Sequence, residues 1–275
     1  MKKNKYDLRL ITMIVITFVT QILSLLITLT YVITLSLGIW IGVGLGEKRV
    51  YQETQPWKNT ILRSDPVMDV NSSGYLSDSE AYQSTVFGSP YRRDQISSVT
   101  FLDTLAACPS DAWDVSEGRN RSVMAWVKPN GEQFDLYIGA RGGVSAGMSC
   151  ETLFAGYKNA VKITFGGAFH TENVKTMDRM FYHCRSLTTL ELDDQFNTSK
   201  VRDMNMMFYG CESLSMLSLG DCFDTSQVSN MHSMFSYCNS LDALYLSDCF
   251  VTTNANTHNM FFLCPAVESY QHLLN

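Results

Sequence analysis

The sequence predicts an α/β chain in which helix–strand units of about 27 residues stack in series, preceded by a β-hairpin and one hydrophobic helix. Three observations carry this expectation. The pairs Met180-Phe181, Met207-Phe208 and Met234-Phe235 recur at a spacing of 27, and Met260-Phe261 follows after 26. A Leu-x-x-Leu-x-Leu pattern trails the first three pairs at the same period. An uncharged run of 37 residues, Leu10 to Gly46, precedes everything else.

The run comes first. A bilayer span needs roughly 20 apolar residues, so residues 10–46 are long enough to cross. The hydrophobic region of a cleaved signal is only about 7–15 residues. An uncleaved signal anchor is therefore favoured over a cleaved leader, although Gly44-Leu45-Gly46 imitates a cleavage site. No turn residue divides the run, which disfavours a two-helix hairpin. Lys2, Lys3, Lys5 and Arg9 in the tail 1–9 are opposed only by Asp7. Positive charge marks the cytoplasmic flank, so a single-pass cell-membrane protein with residues 47–275 extracellular is expected. Gly38, Gly42 and Gly46 form a small-residue face through which two spans can pair as a homodimer.

Charge narrows the function. The chain has 21 Lys and Arg against 27 Asp and Glu, and four of the bases but only one acid precede the run. The remainder is acidic, which argues against nucleic acid as a partner. The eight cysteines contain no Cys-x-x-Cys, so no zinc or thioredoxin-type site is expected.

Residues 47–95 are polar and rich in Ser, Asp and Tyr, and read as a stalk. Residues 96–146 read as a β-rich capping segment. Ile96 to Leu102 is strand-prone, and strands over Ser122–Val127 and Phe134–Ile138 flank Pro129-Asn130-Gly131. Asn-Gly tolerates positive φ and marks a hairpin.

Residues 147–275 are the repeats. Val174, Val201 and Val228 share the period, as do Met177, Met204 and Met231. Cys184, Cys211, Cys238 and Cys264 each follow a Met by four residues, and Phe196, Phe223 and Phe250 close the units. Leu187-x-x-Leu190-x-Leu192 repeats at Leu214 and Leu241, with a degenerate copy at Ala160-x-x-Ile163-x-Phe165. This is the strand core of a leucine-rich repeat. Val-x-x-Met-x-x-Met-Phe has helical spacing, so each unit is expected to pair a helix with a strand. Phe154, in the degenerate unit, is expected to matter less to stability than Phe208.

The stretch Phe223-Asp224-Thr225-Ser226-Gln227-Val228, with Met231, Met234-Phe235, Cys238, Leu241, Leu244 and Leu246, resembles the BspA-like leucine-rich repeat surface proteins of bacteria. Phe196 to Val201 carries the preceding match. The resemblance implies export, a curved solenoid and a role in surface contact or adhesion, without naming a ligand. The chain departs from the pattern in lacking an LPxTG-type sorting signal, and Val251-Thr252-Thr253 and His258 break the last unit.

Several residues suggest chemistry. Gly143-Val144-Ser145-Ala146-Gly147 matches the G-x-S-x-G elbow of serine hydrolases, which needs a large α/β sheet around it. The repeats leave no room for one, so Ser145 reads as a loop residue and no catalytic residue is assigned. The four repeat cysteines read as buried hydrophobes. Cys222 and Cys249 sit one repeat apart, where a disulfide is a lesser alternative. Asp194, Asp221 and Asp248 read as turn residues rather than a calcium column, and His183, His232 and His258 as exposed helix positions. Neither a metal nor another cofactor is expected.

The expected function is binding or adhesion through the concave strand face. The candidate ligand-binding residues lie between the inward leucines: Lys162 and Thr164 in the first unit, then Thr189, Glu191 and Asp193. Met216 and Ser218 follow, then Ala243, Tyr245 and Ser247. The implied partner is an extracellular protein or glycan. The alternative is a structural spacer of the cell envelope.

Overall fold

The computed structural model describes residues 56–67 and 78–273. The expected tail, the run 10–46 and its Gly38/Gly42/Gly46 face lie outside these residues. Among the described residues no helix is long and apolar enough to cross a membrane. The expected single-pass span is corrected to this extent: no such helix lies among the described residues.

The repeat strands form as the leucine pattern requires. They are β7 (Lys162–Thr164), β9 (Thr189–Glu191), β10 (Met216–Ser218) and β11 (Ala243–Tyr245). All pair in parallel, with Thr189 opposite Met216 and Met216 opposite Ala243. At period two the central residues Ile163, Leu190, Leu217 and Leu244 turn inward and are buried. The flanking residues face outward.

The expected helices are absent, and this overturns the α/β class. Among the described residues the α-helices are Asp78–Gln83 and Val267–Tyr270, both short and both outside the Met-Phe segments. Those segments are runs of tight turns. The N–H groups of Met177, Arg179, Phe181 and His183 donate to Asp203, Asn205, Met207 and Tyr209 carbonyls of the next rung at 2.8–2.9 Å. The intervening N–H groups of Met180, Tyr182 and Cys184 bond three residues back. An α-helix would send every N–H four residues back along its own chain. Turns of three and four residues bury the same positions as a helix, so the apolar spacing misleads. The fold is mainly β.

This turn ladder needs a left-handed residue twice per rung. Thr152, Arg179, Met206, Ser233 and Asn259 occupy the first such position, all at φ of 51–57°. Gly156, His183, Gly210, Tyr237 and Leu263 occupy the second. Glycine is the low-cost choice there, yet only two rungs use it.

The segment before the repeats extends the same sheet. Strand β2 (Ile96–Leu102) pairs in parallel with β7 on one side and β5 (Gln133–Ala140) on the other. β4 (Val123–Asn130) forms the hairpin with β5, and β3 (Trp113–Asp114) closes the edge. The order is β11-β10-β9-β7-β2-β5-β4-β3. Gly131, at φ 63°, makes the hairpin turn. The expected capping segment thus continues the sheet of the repeats. A second parallel sheet runs β1 (Ile61–Leu62), β6 (Val144–Ala146), β8 (Phe169–His170).

The stalk reading is also corrected, because residues 56–67 and 78–95 pack onto the body. Thr60 Oγ1 donates to Gly143 O at 2.6 Å. The fully buried Arg93 donates to Thr152 O at 2.6 Å and Ala155 O at 2.8 Å, and pairs with Asp65 at 2.9 Å. The polar bias of the segment hides the fact that one of its charged residues is an internal clamp.

Between the two ladders runs a column of stacked rings. Phe154, Phe181, Phe208, Phe235 and Phe261 follow one another at centroid distances of 5.1–5.6 Å. Offset or parallel ring pairs in this range each contribute beyond simple area burial. Phe154 also touches Phe101, Tyr157 and Phe165 and is fully buried. Phe208→Ala should cost about 3–5 kcal/mol, and Phe154→Ala should now cost as much or more. Thermal melts of the two variants check this; a markedly milder Phe154→Ala would mean the first unit is loosely packed. A second comparison tests the left-handed positions. A Cβ on Gly210 would lie 2.6 Å from His183 Nδ1, whereas one on Gly166, also at positive φ, meets nothing within 4 Å. Both alanine variants carry a backbone penalty of about 1–2 kcal/mol, and Gly210→Ala should lose clearly more melting temperature than Gly166→Ala.

Candidate binding groove

The outward residues of the parallel ladder fall into rows because the register steps by one repeat. One row runs Lys162, Thr189, Met216, Ala243. The next runs Glu191, Ser218, Tyr245, with Thr164 preceding it on β7. Neighbouring strands lie about 4.8 Å apart, so each row is a line of closely spaced side chains.

These rows border an open groove of about 650 Å³. Of the sequence-predicted residues, Lys162, Thr164, Thr189, Glu191 and Asp193 line it on the side of the first units, and Met216, Ser218 and Tyr245 on the other. Tyr245 is 59% exposed, an unusual position for a ring this size. Asp193 is partly committed to structure: its carboxylate accepts from Gly167 N at 2.7 Å and Gln195 N at 3.0 Å.

Two predicted residues do not join the groove. Ala243 lies in its row but not on the wall, and Ser247 lies beyond β11, where its hydroxyl donates to the Phe223 carbonyl. Two positions on the same face escaped the sequence reading. Ser98 and Thr100 of β2 pair with Lys162 and Thr164 and extend both rows. β2 belongs to no repeat, so nothing in the period points to them. Gly166, exposed in the turn after β7, is a further wall residue without a side-chain signal.

The other candidates resolve differently. Ser145 is buried in the middle of β6, between β1 and β8, and its hydroxyl donates to Ala146 O at 3.2 Å. A nucleophile elbow instead puts the serine on a sharp strand-to-helix turn. Its sheet neighbour His170 stacks on Trp57 at 4.0 Å and bonds Gln195 at 3.1 Å, and burial holds its pKa below the usual imidazole range. The repeat cysteines are buried, and Cys184, Cys211 and Cys238 donate to carbonyls of the preceding rung at 3.1–3.2 Å. Burial pushes the Cys184 thiol up to about 12, which suppresses thiolate chemistry. Cys222 and Cys249 carry free thiols. Asp194, Asp221 and Asp248 are exposed at turns, and no group of three metal-ligating side chains occurs among the described residues. His183 departs from expectation: it is buried and non-helical, with φ 55°.

Residues 148–272 match a family model described as "Mycoplasma protein of unknown function, DUF285". The matched span contains the whole rung stack and the groove strands β7, β9, β10 and β11. No curated protein and no solved structure matches the chain.

One titratable group on the turn ladder is strongly displaced. Burial, the largest influence, pushes Asp178 up to about 6, assisted by Asp203 and Glu151; Arg179 at 2.6 Å and Asn205 at 2.8 Å pull the other way. The folded pKa lies above the ordinary carboxylate value of about 3.9. The folded state therefore gains from protonation. That contribution is complete at low pH and lost as pH rises through about 6. Asp178→Asn should melt close to wild type below about pH 4 and gain on it progressively up to about pH 7. A difference independent of pH would refute the assignment.

Proposed function

We propose that this chain is a non-catalytic binding protein that engages a protein or glycan partner through the ladder groove. The observation that carries the reading is the convergence of outward residues from four successive parallel strands on one open groove. Its wall mixes an exposed tyrosine and a methionine with hydroxyls, one lysine and two carboxylates. Amphipathic rings with adaptable neighbours are enriched where partners bind. The resemblance of the repeat motif to BspA-like proteins supports the same reading, and we propose that kinship as well.

The reading is tested by screening the full chain on peptide and glycan arrays beside Tyr245→Ala and Glu191→Lys. Specific hits should weaken by roughly 1–2 kcal/mol in Tyr245→Ala, near a tenfold change. The melting temperature should hardly move, because the ring is exposed. Hits that survive both substitutions, but vanish with Asp203→Ala on the turn ladder, would place the working surface on the opposite side. The absence of any specific hit would favour a spacer role.

A further inference from the structure

We infer a second, separate ligand site: a cationic shelf that takes a phosphate or sulfate group carried on a small ligand. It shares no residue with the ladder groove. The shelf is a recess of about 490 Å³ lined by Lys175, Ser199, Lys200, Arg202, Asp224, Ser226 and Gln227. Three cations face one carboxylate there, in a chain that is acidic overall.

The rung geometry makes the cations converge. Arg202 N donates to Lys175 O at 2.9 Å, so these two residues occupy the same position on adjacent rungs. The rung spacing of about 4.8 Å is close to the width of one tetrahedral oxyanion with its hydrogen bonds. Lys200 stands two residues before Arg202, and its ammonium reaches back to Asn173 Oδ1 at 3.0 Å, over the Lys175 rung. Among the described residues neither Lys175 nor Arg202 has an ion pair, and both are exposed. One oxygen of the carboxylate is committed: Asp224 Oδ1 accepts from Ser226 N at 2.8 Å.

The patch is also bounded. On the next rung the position of Lys175 and Arg202 is Ser229, whose N–H and hydroxyl both turn to Arg202 O. The positions equivalent to Lys200 are Asn173 and Gln227. Two rungs of cations suit one or two anionic groups. They do not suit the long phosphate rail of a nucleic acid, which needs many contacts in line. Arg202 offers a planar fork for two oxygens, and the lysines supply point charges. Ser226 and Gln227 add polar groups suited to a sugar's hydroxyls, while the Ser199 hydroxyl is committed to Asn197 Oδ1 at 2.7 Å; the recess has the size of ordinary small-ligand sites.

The test titrates the full chain with inorganic phosphate, inorganic sulfate, glucose 6-phosphate and glucose 6-sulfate, with glucose as the neutral control, by calorimetry at low salt. Saturable binding of at least one anion is expected, weakening as salt is added. Binding of the esters alone would identify the sugar ester as the ligand; equal binding of the inorganic ions would identify the free oxyanion. Lys200→Glu with Arg202→Glu should reduce affinity by roughly tenfold or more, and the milder Lys200→Gln with Arg202→Gln by less. Tyr245→Ala should leave it unchanged, which separates this site from the groove. No saturable anion binding, equal binding of glucose, or binding indifferent to both double variants would overturn the assignment.

Discussion

The structure depends on one constraint: each rung must return its turn segment to the same height, so that four N–H groups meet four carbonyls of the next rung. Cys150, Thr152, Phe154 and Gly156 donate to Thr176, Asp178, Met180 and Tyr182, and the pattern repeats down the stack. Backbone groups buried without partners are costly, so rung length is fixed by the hydrogen bonds rather than by side-chain preference. The final rung shows how the constraint is met with a residue missing. Thr252 holds its place 27 after Thr225, whereas Asn256 comes 26 after Asn230, so the deletion falls in the turn between them. The ladder then resumes, with Phe235 donating to Met260 at 2.8 Å.

The same constraint explains what was legible in the sequence. A ladder fixed in register stacks like on like, and the stacked residues must be apolar where they face inward. The Met, Phe, Cys and Leu columns therefore appeared as a period, and with them the positions of four strands and their outward rows. The conformation of the Met-Phe segment was not legible. Residues at three- and four-residue spacing face inward both on a helix and on a run of turns, and the deciding feature is positive φ at positions such as Arg179 and Met206. Neither residue type advertises it. The contribution of the chain before the repeats was hidden for another reason. Arg93 is polar by composition, and only its neighbours Thr152, Ala155 and Asp65 make it an interior residue.

The groove inherits its character from the ladder. Its residues are free to vary because only the alternate, inward positions carry the packing. Ile163, Leu190, Leu217 and Leu244 are interchangeable in role, whereas Lys162, Thr189, Met216 and Ala243 differ in size and charge along one row. A surface in which conserved spacing holds unlike side chains side by side is suited to recognition. The cationic shelf follows the same logic on another face, where Lys175 and Arg202 are stacked and Ser229 ends the run.

A stack of rungs also has two ends, and each would leave its first or last hydrogen-bonding groups exposed or misaligned. At the N-terminal end the carbonyl of Ala155 corresponds to that of Tyr182, which accepts from Gly156 of the preceding rung. No rung precedes Ala155, and the buried guanidinium of Arg93 donates to it instead, at 2.8 Å. At the C-terminal end a buried threonine column shows the complementary substitution. Thr171, Thr198 and Thr225 donate their hydroxyls to Asn197, Asp224 and Val251 of the following rung. Among the described residues no rung follows Thr252, which donates at 2.8 Å to Leu273 in the short 3-10 helix Gln271–Leu273. Tyr270 meanwhile donates to the Leu244 carbonyl of β11, and its ring stacks on Phe261 at the end of the phenylalanine column. Both ends are therefore closed by side chains and local structure that imitate the missing neighbour's hydrogen bonds. The repeat period cannot encode them, because they stand where the repetition stops.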